Sequence, residues 1–131
     1  MALSQTSRIE IGVDVVPINR INHLTERWNE KFIVKTLTQD EIFQCRGRPE
    51  RIASLIAAKE ACSKVLGVGM RGVSWREIEI LHLPNGKPTL HLHRRAKLLS
   101  ENQGWHSWSI SLTHDGGLAI AVVVALLKDH F

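Results

Sequence analysis

Over Arg8 to Val16 (RIEIGVDVV), Ile9, Ile11, Val13 and Val15 fall on one side of the chain, and Glu10, Gly12 and Asp14 on the other. A period of two predicts a β-strand. Pro17 ends that strand or opens the next element. INRINHLTERW then follows a helical period, with Arg20, His23 and Arg27 spaced to share one basic face. Phe32 to Leu37 carries no decisive period. Thr38-Gln39-Asp40-Glu41 has the form of a capping box that opens a further helix. Pro49 suits the first turn of a longer helix running to about Leu66. Its apolar stripe is Ile52, Leu55, Ile56, Cys62, Val65 and Leu66, and Gly67 stands where a helix stop belongs.

Arg76 to Leu83 alternates as a strand, and Thr89 to His93 is its return. Between them, Pro84-Asn85-Gly86-Lys87-Pro88 predicts a hairpin with Asn85-Gly86 at the centre of a type I′ turn. That register pairs residue 82 with residue 89 and puts His82, His91 and His93 on one face. Arg94 to Asn102 reads as a helix, and Trp105 to Thr113 and Leu118 to Leu127 as two strands joined by HDGG. Strands mixed with helices and two antiparallel hairpins predict an α+β fold, an antiparallel sheet packed with helices, in a single domain of residues 1–131.

Composition narrows the functional classes. Hydrophobic residues are 44% and charged residues 23% of the 131, so a packed core is expected. No apolar run approaches the roughly 18 residues that span a bilayer. MALSQTSRIE has no apolar h-region, so neither a signal peptide nor a membrane partner is expected, and the predicted location is the cytoplasm. The two cysteines, Cys45 and Cys62, have no CxxC spacing and are expected as free thiols. A net charge of +4 favours an anionic partner. A nucleic-acid surface would interleave basic residues with exposed aromatics; the chain has no Tyr and little such pattern.

Candidate chemistry lies in three places. Glu60 and Lys64 are one helical turn apart on a face with Ala53 and Ala57, and are either a surface ion pair or part of a site. The helix ends in Gly67-Val68-Gly69, where bare amides can meet an anion, but no GK[ST] follows to make a Walker loop. Asp14 is an unusual strand residue, and if buried needs a cation or donors. His114 follows Ser111-Leu112-Thr113 at a strand end. A hydrolase triad is excluded by the lack of a GxSxG elbow. The three hairpin histidines are more simply a solvated face than a metal site.

Taken in order, IGVDVVPINRI, AAKEACSKVLGVG and ISLTHDGGLAIAVV resemble the signatures of the phosphopantetheinyl transferases, most closely the small holo-acyl-carrier-protein synthase branch. IEI followed by NGKPTL is also similar to that branch, and the resemblance runs from about Glu10 to Val124. It implies transfer of the 4′-phosphopantetheine arm of coenzyme A to a serine of an acidic acyl carrier protein, releasing adenosine 3′,5′-bisphosphate. By the same resemblance Asp14 and Glu60 bind Mg²⁺. Lys64, Gly67, Gly69, Thr113 and His114 contact coenzyme A, Glu60 and Lys64 serve the chemistry, and Arg20 with Arg27 docks the carrier. The small branch is trimeric, with sites shared between subunits. Two alternatives are a catalytically weak coenzyme A binder and a basic nucleic-acid module. The chain departs from the family's pattern at Leu55, where most members have a basic residue, and at Val68, where Thr is usual. Arg46, Arg48 or Arg51 is the candidate replacement for the missing charge.

Overall fold

The structure is a computed structural model; it describes residues 9–127, apart from the side chains of residues 24–30. Strand β1 (Ile9–Pro17) leads into helix α1 (Ile18–Thr36), followed by α2 (Gln39–Cys45) and the long α3 (Pro49–Leu66). A one-turn helix α4 (Gly69–Gly72) and a 3-10 turn (Trp75–Glu77) precede the hairpin β2 (Ile78–His82) and β3 (Pro88–Leu92). Helix α5 (Arg94–Asn102) and the hairpin β4 (Trp105–Asp115) and β5 (Leu118–Leu127) complete the described chain. Both sheets are antiparallel: three strands in the order β1-β5-β4, and the pair β2-β3. Among the described residues no helix is long and apolar enough to cross a membrane.

Local signals account for most boundaries. Thr38 caps α2 by accepting from the Glu41 amide, while the Glu41 carboxylate accepts from the Thr38 amide. Pro49 opens α3, and Gly67 closes it in the left-handed conformation that a Cβ would penalise. Helix α1 runs eight residues past the predicted Trp28 and takes in most of the indeterminate Phe32–Leu37 stretch. Phe32 and Ile33 pack against the core there, so tertiary contact decides what local period does not.

The hairpin register differs from expectation. Residue 82 pairs with 88, and 81 with 89. Pro84 holds φ near −65° and suits the first central position of a type I turn, whereas type I′ needs positive φ at Asn85, which is not among the positive-φ residues. The connection is therefore three residues, Pro84-Asn85-Gly86, with Gly86 left-handed and its amide donating to the Leu83 carbonyl at 2.8 Å. The shift of one residue separates the histidines. His82 points with Ile78 and Ile80, while His91 lies across from Glu79, and His93 contacts Glu79 at 3.0 Å. Among the described residues no cluster of three or more His, Cys, Asp or Glu gathers to hold a metal.

Helix α3 is the central element and lies across β1 and β5. Its Ala53, Ala57, Ala58 and Ala61 meet Ala119, Ala121 and Ala125 of β5 in the core, and small residues on both sides permit close approach. Gly12 on β1 lies directly under the Ala61 carbonyl. The side of β1 that faces α3 is thus Glu10, Gly12, Asp14 and Val16. The apolar side, Ile9, Ile11, Val13 and Val15, is between 48% and 65% exposed and continues onto Leu118 and Leu126 of β5. Cys45 and Cys62 are buried free thiols, each pushed up to about 12, by burial first.

Candidate active site

Asp14 is carried by the middle of β1 onto the side covered by α3. Its carboxylate is only 13% exposed. Oδ1 accepts from the Lys64 ammonium at 3.1 Å, and the same ammonium donates to the Val13 carbonyl at 3.0 Å. Oδ2 is buried and receives no donor from any described residue. Glu60, one helical turn before Lys64, stands beside this carboxylate. Burial, then the neighbouring Asp14 carboxyl, pushes Glu60 up to about 7, with Lys64 and Arg20 pulling the other way. The ion pair that a helix-only reading would draw between Glu60 and Lys64 is replaced by one between Lys64 and Asp14, across 50 residues of sequence. The Lys64 side chain remains 56% exposed, so its charge faces solvent as well as Asp14.

The two adjacent carboxylates repel each other; the Lys64 ammonium meets Asp14 at Oδ1, and Asp14 Oδ2 stays buried without a donor among the described residues. Such a pair fits a hard divalent ion that takes one or two carboxylates and fills its other positions with phosphate and water. Asp14 and Glu60 therefore fit Mg²⁺ on the chemistry of their donors.

A cavity of about 680 Å³ opens on another part of α3. Its walls are the end of α2 with Phe43, Gln44 and Arg46, the first turns of α3 with Arg51, Ser54 and Leu55, the hairpin turn with His82, Leu83, Pro84 and Gly86, and the end of β4 with Leu112, Thr113 and His114. Apolar lips with Arg46, Arg51, His82 and His114 suit a planar ring bearing an anion. The cluster is built rather than incidental. Gln44 bonds the His82 backbone in both directions, at 3.1 and 2.8 Å, and Arg51 donates to the Gln44 carbonyl at 3.0 Å. Burial, then the Arg51 charge, holds His82 below the usual imidazole range.

The candidate residues thus form two groups. Asp14, Glu60 and Lys64 come together, and the charge of Arg20 reaches Glu60. Thr113 and His114 line the cavity, which Asp14, Glu60, Lys64, Gly67 and Gly69 do not. Gly67 and Gly69 both have positive φ at the C-terminal end of α3. Arg20 is exposed on α1, and the side chain of Arg27 lies outside the described residues. Of the three arginines left open by Leu55, Arg46 and Arg51 line the cavity and Arg48 does not. Sequence reasoning did not single out Gly12, Phe43 or Gln44. Glycine inside a strand was the available signal for Gly12, because it marks a close backbone approach.

The model of the 4′-phosphopantetheinyl transferase superfamily matches residues 10–123. This chain belongs to that superfamily. A holo-[acyl-carrier-protein] synthase of Herpetosiphon aurantiacus is 42% identical over 122 residues, covering 88% of this chain and 96% of the relative. One from Gloeobacter violaceus is 42% identical over 91% of this chain and 93% of its own. Among solved structures, the Helicobacter pylori holo-[acyl-carrier-protein] synthase in complex with coenzyme A superposes with a TM-score of 0.81 at 38% identity, covering 88% of this chain and 99% of that one. The Bacillus anthracis synthase in complex with coenzyme A (3′,5′-ADP) gives 0.73 at 31% identity, over 90% and 96%. The α+β architecture with its antiparallel sheets is therefore that of a phosphopantetheinyl transferase.

Proposed function

We propose that this transferase moves the 4′-phosphopantetheine arm of coenzyme A onto a serine hydroxyl of an acyl carrier protein, leaving adenosine 3′,5′-bisphosphate. The observation that carries the reading is the Asp14–Glu60 carboxylate pair with its orphaned oxygen, in a chain that matches holo-[acyl-carrier-protein] synthases over most of its length.

Asp14 and Glu60 would hold Mg²⁺, which when bound supplies positive charge against the diphosphate of coenzyme A. Lys64, half exposed beside Asp14, places a second positive charge for the phosphates. The cavity takes the adenine-bearing end, with Leu83 and Pro84 against the ring and Arg46, Arg51 and His114 near its phosphate. Arg51 is one helical turn before Leu55 on the same wall, and so supplies the charge that Leu55 lacks. Gly69 leaves the backbone open to a phosphate, whereas the Gly67 amide is already taken by the Ser63 and Lys64 carbonyls at 3.0 and 3.1 Å. Glu60, beside Asp14, is the group assigned to accept the proton of the incoming serine. Arg20 and Arg27 on α1 steer the acidic carrier. Higher salt then raises KM for the carrier more than KM for coenzyme A, and equal changes would remove α1 as the docking face.

The active unit is a trimer, with each site shared between two copies. Two features support this: the exposed apolar side of β1 and β5, and the separation of the cavity lining from Asp14, Glu60 and Lys64 within one chain. The β1–β5 face of one copy covers that of the next, bringing one copy's carboxylates to the other's cavity.

The deciding experiment incubates purified chain with apo-carrier, coenzyme A and Mg²⁺ and weighs the carrier by mass spectrometry. A gain of one phosphopantetheine arm that requires Mg²⁺ is expected. An unchanged apo-carrier mass across fatty-acid and polyketide carriers, with coenzyme A still bound, would leave a binding protein instead.

A further inference from the structure

Lys59 precedes Glu60 in the chain yet belongs to neither half of the site. It is fully buried, on the face of α3 that also carries Leu55, Ile56 and Cys62. A side chain so enclosed touches no substrate. All three of its ammonium protons are used: Nζ donates to Glu41 Oε1 at 2.9 Å, to the Trp75 carbonyl at 2.9 Å and, by a short contact, to the Ile78 carbonyl. Glu41 is equally occupied. Its Oε1 also accepts from the Thr38 amide at 2.9 Å, and its Oε2 from the Ile80 amide at 2.8 Å. The pair therefore joins α3 at one point to α2, the 3-10 turn and β2.

An aliphatic pair in that space would keep the core filled, so charge there calls for another account. The surface of α3 supplies one. Ala53, Ala57, Ala58 and Ala61 make up much of the face toward β1 and β5, with Val65 the larger side chain that meets Gly12, so this face keys the helix less firmly than a row of large side chains would. Directional bonds to three separate elements limit it strongly. The consequence reaches both halves of the site. Glu60 and Lys64 lie on the flank next to Lys59, while Arg51 and Leu55 on the same helix, Phe43 on α2 and Leu83 beyond β2 form walls of the cavity. A roll of about 10° moves a side chain at a helix's outer radius, roughly 5–6 Å, by about 1 Å. A misplacement of that size costs a reaction up to about 100-fold.

We infer that Lys59 and Glu41 are positioning residues: their buried pair fixes the roll of α3, and with it the aim of Glu60 and Lys64 at Asp14 and the spacing of the cavity walls. The inference rests on the transferase reading above. Its test uses Glu41→Gln and the double variant Lys59→Met/Glu41→Gln, the latter leaving no unpaired buried charge. Folding is followed by circular dichroism, coenzyme A binding by calorimetry without metal, and transfer by kcat and by KM for each substrate. Both variants are expected to fold. The double variant should lose about tenfold or more in kcat and several-fold in coenzyme A affinity, with KM for the carrier within about twofold, because α1 is not tied by the pair. Folded variants with kcat and coenzyme A affinity within about twofold of the parent overturn the inference, since a purely stabilising pair gives that result. Failure of even the double variant to fold overturns it too. If the parent chain itself modifies no carrier, the transferase reading fails, and the calorimetry still decides whether the pair shapes the cavity.

Discussion

Gly12→Ala is the sharpest single perturbation of this architecture. A Cβ at Gly12 would lie 2.1 Å from the Ala61 carbonyl oxygen and 2.9 Å from Val65 Cγ2. Reaching even the tight limit of 3.0 Å requires α3 and β1 to separate by about 0.9 Å. The closest obstacle is backbone, so no rotamer change relieves it, and adding Val65→Ala should not restore the parent behaviour. Overpacking of this kind costs about 1–3 kcal/mol, which at about 4 °C per kcal/mol for a chain of this size lowers the melting temperature by roughly 4–12 °C. Activity should suffer more than stability. Asp14 is carried by β1, and Glu60 and Lys64 by α3, so the same separation opens the site itself. A shift near 1 Å lowers kcat by up to about 100-fold. Thermal unfolding by circular dichroism and single-carrier transfer kinetics, measured well below the melting temperature, check both parts. A Gly12→Ala protein that melts with the parent and keeps its kcat would refute the close contact of α3 with β1.

Four further outcomes follow. On the proposed trimer with shared sites, Asp14→Asn and His114→Ala should each be nearly inactive, yet assemblies from an equal mixture should recover about a quarter of the parent activity, because one interface in four then joins two intact halves; no recovery above the separate variants would place the whole site in one chain. Glu60 is raised to about 7, so proton and metal compete for it, and the Mg²⁺ concentration for half-maximal transfer should fall about tenfold between pH 6 and pH 8; a flat requirement would take Glu60 out of the metal site. The same raised value has an opposite sign for folding: the neutral form is favoured in the native chain, so this group's contribution to stability is present below its unfolded value and is lost as pH rises through about 7. Arg51→Met should raise KM for coenzyme A several-fold while leaving KM for 3′-dephospho-coenzyme A nearly unchanged, and equal effects on both would move that phosphate away from Arg51.

Much of this fold is readable from local pattern. Pro49 and Gly67 bracket α3 because first-turn proline and left-handed glycine act on the backbone within one turn. Leu118 to Leu127 is legible for a similar reason, its unbroken run of ten apolar residues being a property of consecutive positions. The misjudged hairpin register is also local: Pro84 excludes the turn that Asn85-Gly86 alone would favour. Lys59 is different. Helical period puts it off the Glu60–Lys64 face, but its partner Glu41 lies 18 residues away on another helix. The long reach of Lys64 to Asp14 is of the same kind.

The sequence by itself determined most of the helix and strand segments, which residues could serve as metal ligands or phosphate contacts, and the family to which their order belongs. Tertiary structure alone decided which side of β1 is covered. Alternation in RIEIGVDVV divides β1 into two sides without saying which one meets the helix. The helix meets Gly12 and Asp14, because only a side without a Cβ at residue 12 admits the Ala61 backbone so closely. That contact turns the larger aliphatic residues outward and buries Asp14 beside Glu60 and Lys64. Close approach depends on the shapes of two surfaces at once, and no single stretch of sequence contains both.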